Sequence, residues 1–130
     1  MANVLIVDDD TDAIEICKVL LTSAGHTVQT SHNGAEGLHA LCRRPLPDCV
    51  LLDVDMPVLN GPGMAEQMIR HDNGEEKIPI LLVSARNDLP AVAARIGTPY
   101  FLRKASHDYW KVLLGVLARA LSERRVPTPA

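Results

Sequence analysis

The stretch "DCVLLDVDMP", Asp48 to Pro57, runs from four apolar residues into two acids and a proline. Cys49 to about Asp53 reads as a buried strand. A charge is costly inside a core, so Asp53 and Asp55 mark where that strand surfaces. Residues two apart share a side of a strand. Here the chain is already turning, because Pro57 biases Met56 away from helix.

Strand and helix signals alternate on either side of this stretch. Asn3 to Val7 is apolar and strand-like. A helix is expected from about Asp10 to Ala24, with Ala13, Ile14, Cys17, Leu20, Leu21 and Ala24 on one face. Gly25 stops it. His26 to Thr30 reads as a second strand. Asn33 caps a helix carrying Ala35, Leu38, Leu41 and Cys42 inward, ended by Pro45. Downstream, Pro62 lies just inside a helix running to about His71. "IPILLVSA" is a fourth strand, and Leu89 to Ile96 a short helix. "PYFLRK" is a fifth strand whose leading proline fits an edge. The last helix is expected from about Ser106 to Glu123.

Five strand-helix pairs with apolar strands predict a doubly wound α/β fold, a parallel sheet covered on both faces. The edge proline favours strand order 2-1-3-4-5, the flavodoxin-like arrangement. The expected organisation is one domain over 1–123 and a flexible tail over 124–130. A chain of 130 residues, 47% hydrophobic, can bury such a core unaided.

Bulk composition narrows the function. Net charge is -3 with scattered basic residues, so direct nucleic-acid binding is not expected. Neither a signal peptide nor a bilayer-spanning run is evident, which predicts a cytoplasmic protein without membrane contact. Cys17, Cys42 and Cys49 lack C-x-x-C spacing and read as reduced core residues. The five histidines lack ligand spacing and read as solvated.

In this fold the site lies beyond the carboxyl ends of the strands. Strand one ends in Asp8-Asp9-Asp10, strand three in Asp53, strand four in Ser84 and strand five in Lys104. Two carboxylates about 5 Å apart repel by roughly 3 kcal/mol at an effective dielectric near 20. Clustered acids therefore bind a proton, spread apart or hold a cation. Hard carboxylate oxygens suit Mg²⁺. A carboxylate is also a nucleophile toward phosphorus, with Lys104 and Ser84 placed to pair with phosphoryl oxygens. "GPGM", Gly61 to Met64, matches no phosphate-cradling glycine pattern, so no nucleotide donor is expected. Asp10 also fits a plain helix cap.

"LIVDDD", "PDCVLLDVDMPVLNG", "PILLVSAR" and "YFLRK" occur in the order and spacing of a response-regulator receiver domain of two-component signalling. The chain resembles that family, of the chemotaxis-Y type, from about Asn3 to Glu123. The resemblance implies Asp53 as phosphoacceptor, with Asp8, Asp9, Asp53 and the backbone carbonyl of Asp55 holding Mg²⁺. Ser84 and Lys104 would engage the phosphoryl group, and Ser84 and Phe101 would form the switch. Gly61 matches the family's glycine after the acceptor loop. Implied partners are a histidine kinase or phosphotransfer protein, and a downstream protein or second copy. The latter would bind through the fourth helix, fifth strand and last helix. The protein would be no enzyme beyond its own aspartyl phosphorylation and dephosphorylation.

Three features depart from the family pattern. Ala105 follows Lys104 where proline after a cis bond is usual, and a trans bond is expected here. The segment from Ser84 to Lys104 is about two residues short. No effector domain follows Glu123, which fits a free-standing receiver or a piece of a longer protein. Two other functions are open to the residues. One is a receiver-shaped interaction module that is never phosphorylated. The other is a phosphatase, since "DVDMP" also resembles the acid-x-acid motif of haloacid-dehalogenase-like enzymes.

Overall fold

The computed structural model describes residues 1–71, 78–104 and 109–123. The elements alternate: β1 (Asn3–Val7), α1 (Thr11–Ser23), β2 (Thr27–Ser31), α2 (Gly34–Ala40), β3 (Cys49–Leu52), α3 (Gly61–His71), β4 (Ile80–Ser84), α4 (Leu89–Ile96), β5 (Tyr100–Arg103) and α5 (Trp110–Glu123). The sheet is parallel in the order β2-β1-β3-β4-β5, as the strand pattern predicts.

Alternation along each strand divides the core between the two faces. Val4, Ile6, Cys49, Leu51, Leu81 and Val83 pack under α1 and α5 with Ile14, Cys17, Leu21, Leu113 and Leu117. Leu5, Val7, Val50, Leu52 and Leu82 face the other way, toward Met64, Ala65, Leu89, Val92 and Ala93. The central strands β3 and β4 are buried along their whole length. Each large side chain so buried stabilises the fold by about 1.5–3 kcal/mol.

The sheet's flanks differ from its middle. The outer strand β2, "TVQTS", keeps one fully buried residue, Ser31. The opposite flank, β5, is four residues long, follows Pro99 and ends in Arg103.

Some expectations need correction. β3 ends at Leu52, so Asp53 stands just past the strand. β2 begins one residue later than the pattern predicts. Ala24 and Ala35 are exposed, and α2 turns Gly34 and Gly37 inward with Leu38 half-buried. Cys42 lies beyond the end of α2 and is exposed, unlike buried Cys17 and Cys49. His26 is half-buried, and its Nδ1 accepts from the Ala2 N–H at 3.0 Å. The 124–130 tail, the Lys104–Ala105 bond, His107 and a helix start at Ser106 involve residues outside those described. Among the described residues no helix is long and apolar enough to cross a membrane.

Candidate functional site

The carboxyl ends of β1 and β3 bring three acids together. Asp53 N–H donates to Val7 O at 2.9 Å, continuing the β1–β3 ladder by one bond and setting Asp53 beside Asp8. One carboxylate oxygen from each of Asp8, Asp9 and Asp53 lies within 4.8 Å of the others. Asp8 is buried, Asp9 exposed and Asp53 between. Asp10 stands apart from this cluster. Its Oδ1 accepts from the N–H groups of Asp12 and Ala13 at 3.0 and 3.3 Å, so it caps α1.

Lys104 brings one positive charge to the cluster. Its N–H donates to Ser84 O at 2.8 Å, which seats it at the end of the β4–β5 ladder. From there Nζ reaches Asp8 Oδ2 at 2.7 Å. Burial works to lower the lysine's pKa. The hydrogen bond to Asp8, then the charges of Asp8 and Asp53, outweigh it and hold the group above the usual lysine range.

Asp53 is the perturbed acid of the cluster. Burial pushes its carboxyl up to about 7, and the charge of Asp8 pushes the same way, while Lys104 and the Val54 N–H pull down. That N–H donates to Asp53 Oδ1 at 2.8 Å and orients the carboxyl. A single ammonium does not neutralise three clustered acids, so the site favours gaining a proton or a cation. Three hard oxygen donors fit Mg²⁺.

Behind Asp53 the backbone is tight. Gly61 N–H donates to Val54 O at 2.9 Å, and a Cβ on Gly61 would overlap the Asp53 carbonyl. Any side chain there would push the acceptor loop outward. In the same loop, Leu59 N–H donates to Pro57 O at 2.8 Å across a γ-turn centred on Val58. Val58 has φ 70° and is 84% exposed, a strained conformation for a β-branched residue.

Ser84, 2% exposed, accepts at Oγ from the Arg86 N–H at 3.3 Å. The Asp55 carboxylate is not part of the three-acid group and pairs with Arg86 Nη1 at 3.0 Å. Arg86 also grips Asp88, a pairing that nothing in the sequence pattern singles out. Phe101, on β5, pairs in register with Leu82 of β4 and is 39% exposed. A groove of about 520 Å³ between α3 and α4 meets the site at Asp55 and Arg86.

This arrangement agrees with what the chain is similar to. The family model for the response regulator receiver domain matches residues 4–109. Protein PilH of Pseudomonas aeruginosa is 37% identical over 87 residues, 67% of this chain and 70% of PilH. The transcriptional regulatory protein AfsQ1 of Streptomyces coelicolor is 39% identical over 68% of this chain but 37% of its own length. This chain thus spans little more than a third of that regulator. The chemotaxis protein CheY4 of Vibrio cholerae superposes with a TM-score of 0.79 at 27% identity, covering 93% of this chain and 99% of CheY4. The signal receiver domain of a histidine kinase from Syntrophus aciditrophicus gives 0.81 at 25% identity, covering 100% and 98%.

Proposed function

The chain belongs to the response regulator receiver domain family, and we propose that it is a switch phosphorylated on Asp53 by a histidine kinase or phosphotransfer protein. The observation that carries this reading is Asp53 itself, pushed up to about 7 beside Asp8 with Lys104 in the same cluster. An acid so placed gains from a cation at the rim, and a cation held there favours an incoming phosphoryl group in turn.

An Asp53 carboxylate oxygen attacks the phosphorus of a phosphohistidine. The P–N bond breaks, and the imidazole leaves with its electron pair and takes a proton. Asp8, Asp9, Asp53 and the Asp55 backbone carbonyl would hold Mg²⁺, which when bound supplies positive charge against the acids and the phosphoryl oxygens. Lys104 offers its ammonium to a phosphoryl oxygen, and Ser84 offers a hydroxyl proton. Hydrolysis is attack by water at the same phosphorus, with Asp53 as leaving group. The protein modifies itself rather than turning over a substrate.

Ser84 and Phe101 form the switch, and output runs through α4, β5 and α5 to a downstream protein or a second copy. Tyr109 and Val116 pack against the core, whereas Val112 is 55% exposed. Among the described residues, Val112 and Phe101 are the large apolar side chains this surface exposes most.

Incubation with acetyl phosphate, followed by intact mass measurement, tests the reading. Addition of one phosphoryl group is expected in Mg²⁺, with none in excess chelator or in Asp53→Asn. Normal labelling of Asp53→Asn, or no labelling of the wild type by acetyl phosphate or any purified histidine kinase, overturns it.

A further inference from the structure

Asp88 opens α4 at a position where its carboxylate would normally accept from the first free N–H groups. Here α4 starts with no side-chain cap bond. Both Asp88 oxygens are taken by Arg86, Nε to Oδ1 at 2.8 Å and Nη2 to Oδ2 at 2.9 Å. Asp88 has φ -92° and ψ 18°, unlike the extended Asp10 and Asn33, which do cap α1 and α2. No acidic residue in the first turn of α4 stands in for it.

The same guanidinium reaches the other loop. Nη1 donates to Asp55 Oδ1 at 3.0 Å, two residues beyond Asp53. The Arg86 N–H meanwhile donates to Ser84 Oγ. One side chain, 40% exposed and held by charge rather than by packing, therefore joins the acidic loop to the start of α4.

We propose that Arg86 is a positioning residue that couples charge at the acidic site to the capping of α4. With Asp53 unmodified, the guanidinium holds Asp88 off the helix. A phosphoryl group adds about -1.5 to -2 charges beside Asp55 and draws the guanidinium toward the site. Asp88 then turns to extended backbone, and its carboxylate accepts from the Ala91 N–H, which now bonds the Asp88 carbonyl at 3.0 Å. Pro90, between them, has no N–H to offer. The phosphorylated half of this cycle rests on Asp53 being the acceptor; the resting half does not.

Residue-resolved amide exchange by NMR on the full chain tests both halves. Without a phosphoryl donor, Arg86→Gln should slow exchange at Ala91 roughly threefold to tenfold, the effect of a formed cap. Adding Asp88→Ala should erase that slowing. Equal exchange in wild type and both variants overturns the proposal. With acetyl phosphate, Asp53 labelling is counted by mass in the same sample. Labelled wild type should show the slowing and labelled Asp88→Ala should not. Labelled protein with unchanged Ala91 exchange overturns the coupling. A sample that takes up no label overturns the acceptor reading instead, and the unlabelled variants then decide whether Arg86 withholds the cap.

Discussion

Leu52 and Asp53 are consecutive residues with opposite surroundings. Leu52 has no exposed surface and lies among Leu5, Val7, Val50 and Leu82. Asp53 is half-buried against another carboxylate and is pushed up to about 7. The sheet's interior gains stability from burial, while its rim gives some back by crowding like charges. The rim persists because the ladder bond from Asp53 N–H to Val7 O and the Gly61 approach fix the backbone whatever the side chains prefer.

Removing side-chain volume from the interior should have the largest effect. Leu52→Ala is expected to cost about 2–5 kcal/mol in denaturant unfolding, through lost burial and a cavity. A loss below about 1 kcal/mol would mean the interior relaxes easily, and the contrast with the rim would fail.

Removing charge from the rim should do the reverse. In chelator near pH 8, Asp53→Asn is expected to raise stability by about 1–2 kcal/mol, a figure reduced for partial exposure. The pH dependence has a definite sign. The folded Asp53 keeps its proton up to about 7, above the 3.8 of an unperturbed aspartate. Between these values the folded state binds more protons than the unfolded one, so stability falls as pH rises. Asp53→Asn should flatten that fall. A wild-type profile equally flat from pH 4 to 7 would show that neither burial nor the neighbouring Asp8 penalises the Asp53 charge.

A smaller gain is expected in the acceptor loop. Val58→Gly removes a β-branched residue from φ 70° and should raise stability by about 1 kcal/mol. A decrease would mean that the γ-turn relaxes with its side chain or that Val58 makes contacts worth more than its strain.

The least visible change in stability should come from Arg86→Ala, since its ion pairs are exposed. It should still shorten the life of phospho-Asp53 severalfold, because the bridge to Asp55 stands beside the acceptor loop. Asp55→Ala in that background should add little. Independent effects of the two substitutions on the logarithm of the rate would remove the bridge from the account.

The fold was largely legible because strand burial leaves contiguous apolar runs and α1, α2 and α3 carry start signals in Asp10, Asn33 and Pro62. Strand order followed from Pro99 at the start of β5, and the acids from their positions at strand ends. The α2 face was misread because small residues decide it: Gly34 and Gly37 allow close packing, and a hydrophobicity pattern gives glycine no weight. Cys42 was misplaced for a related reason, since the helix stops before it. The grouping of Asp8, Asp9, Asp53 and Lys104 could be foreseen from strand order. The grip of Arg86 on Asp88 could not, because cap and ion pair ask for the same residue at the same place. The pairing of Asp55 with Arg86 joins two loops distant in sequence, and its distance had to come from the structure.

The two flanks of the sheet bear on how copies of this protein would meet. β2 is polar except for Val28, and β5 offers four residues, Tyr100 to Arg103, directly after Pro99. Short or polar edges are poor templates for further strands. Association by sheet extension, the route toward cross-β aggregates, is therefore disfavoured at both ends. Self-association would have to proceed through helix faces and side chains, which a change of charge can reverse.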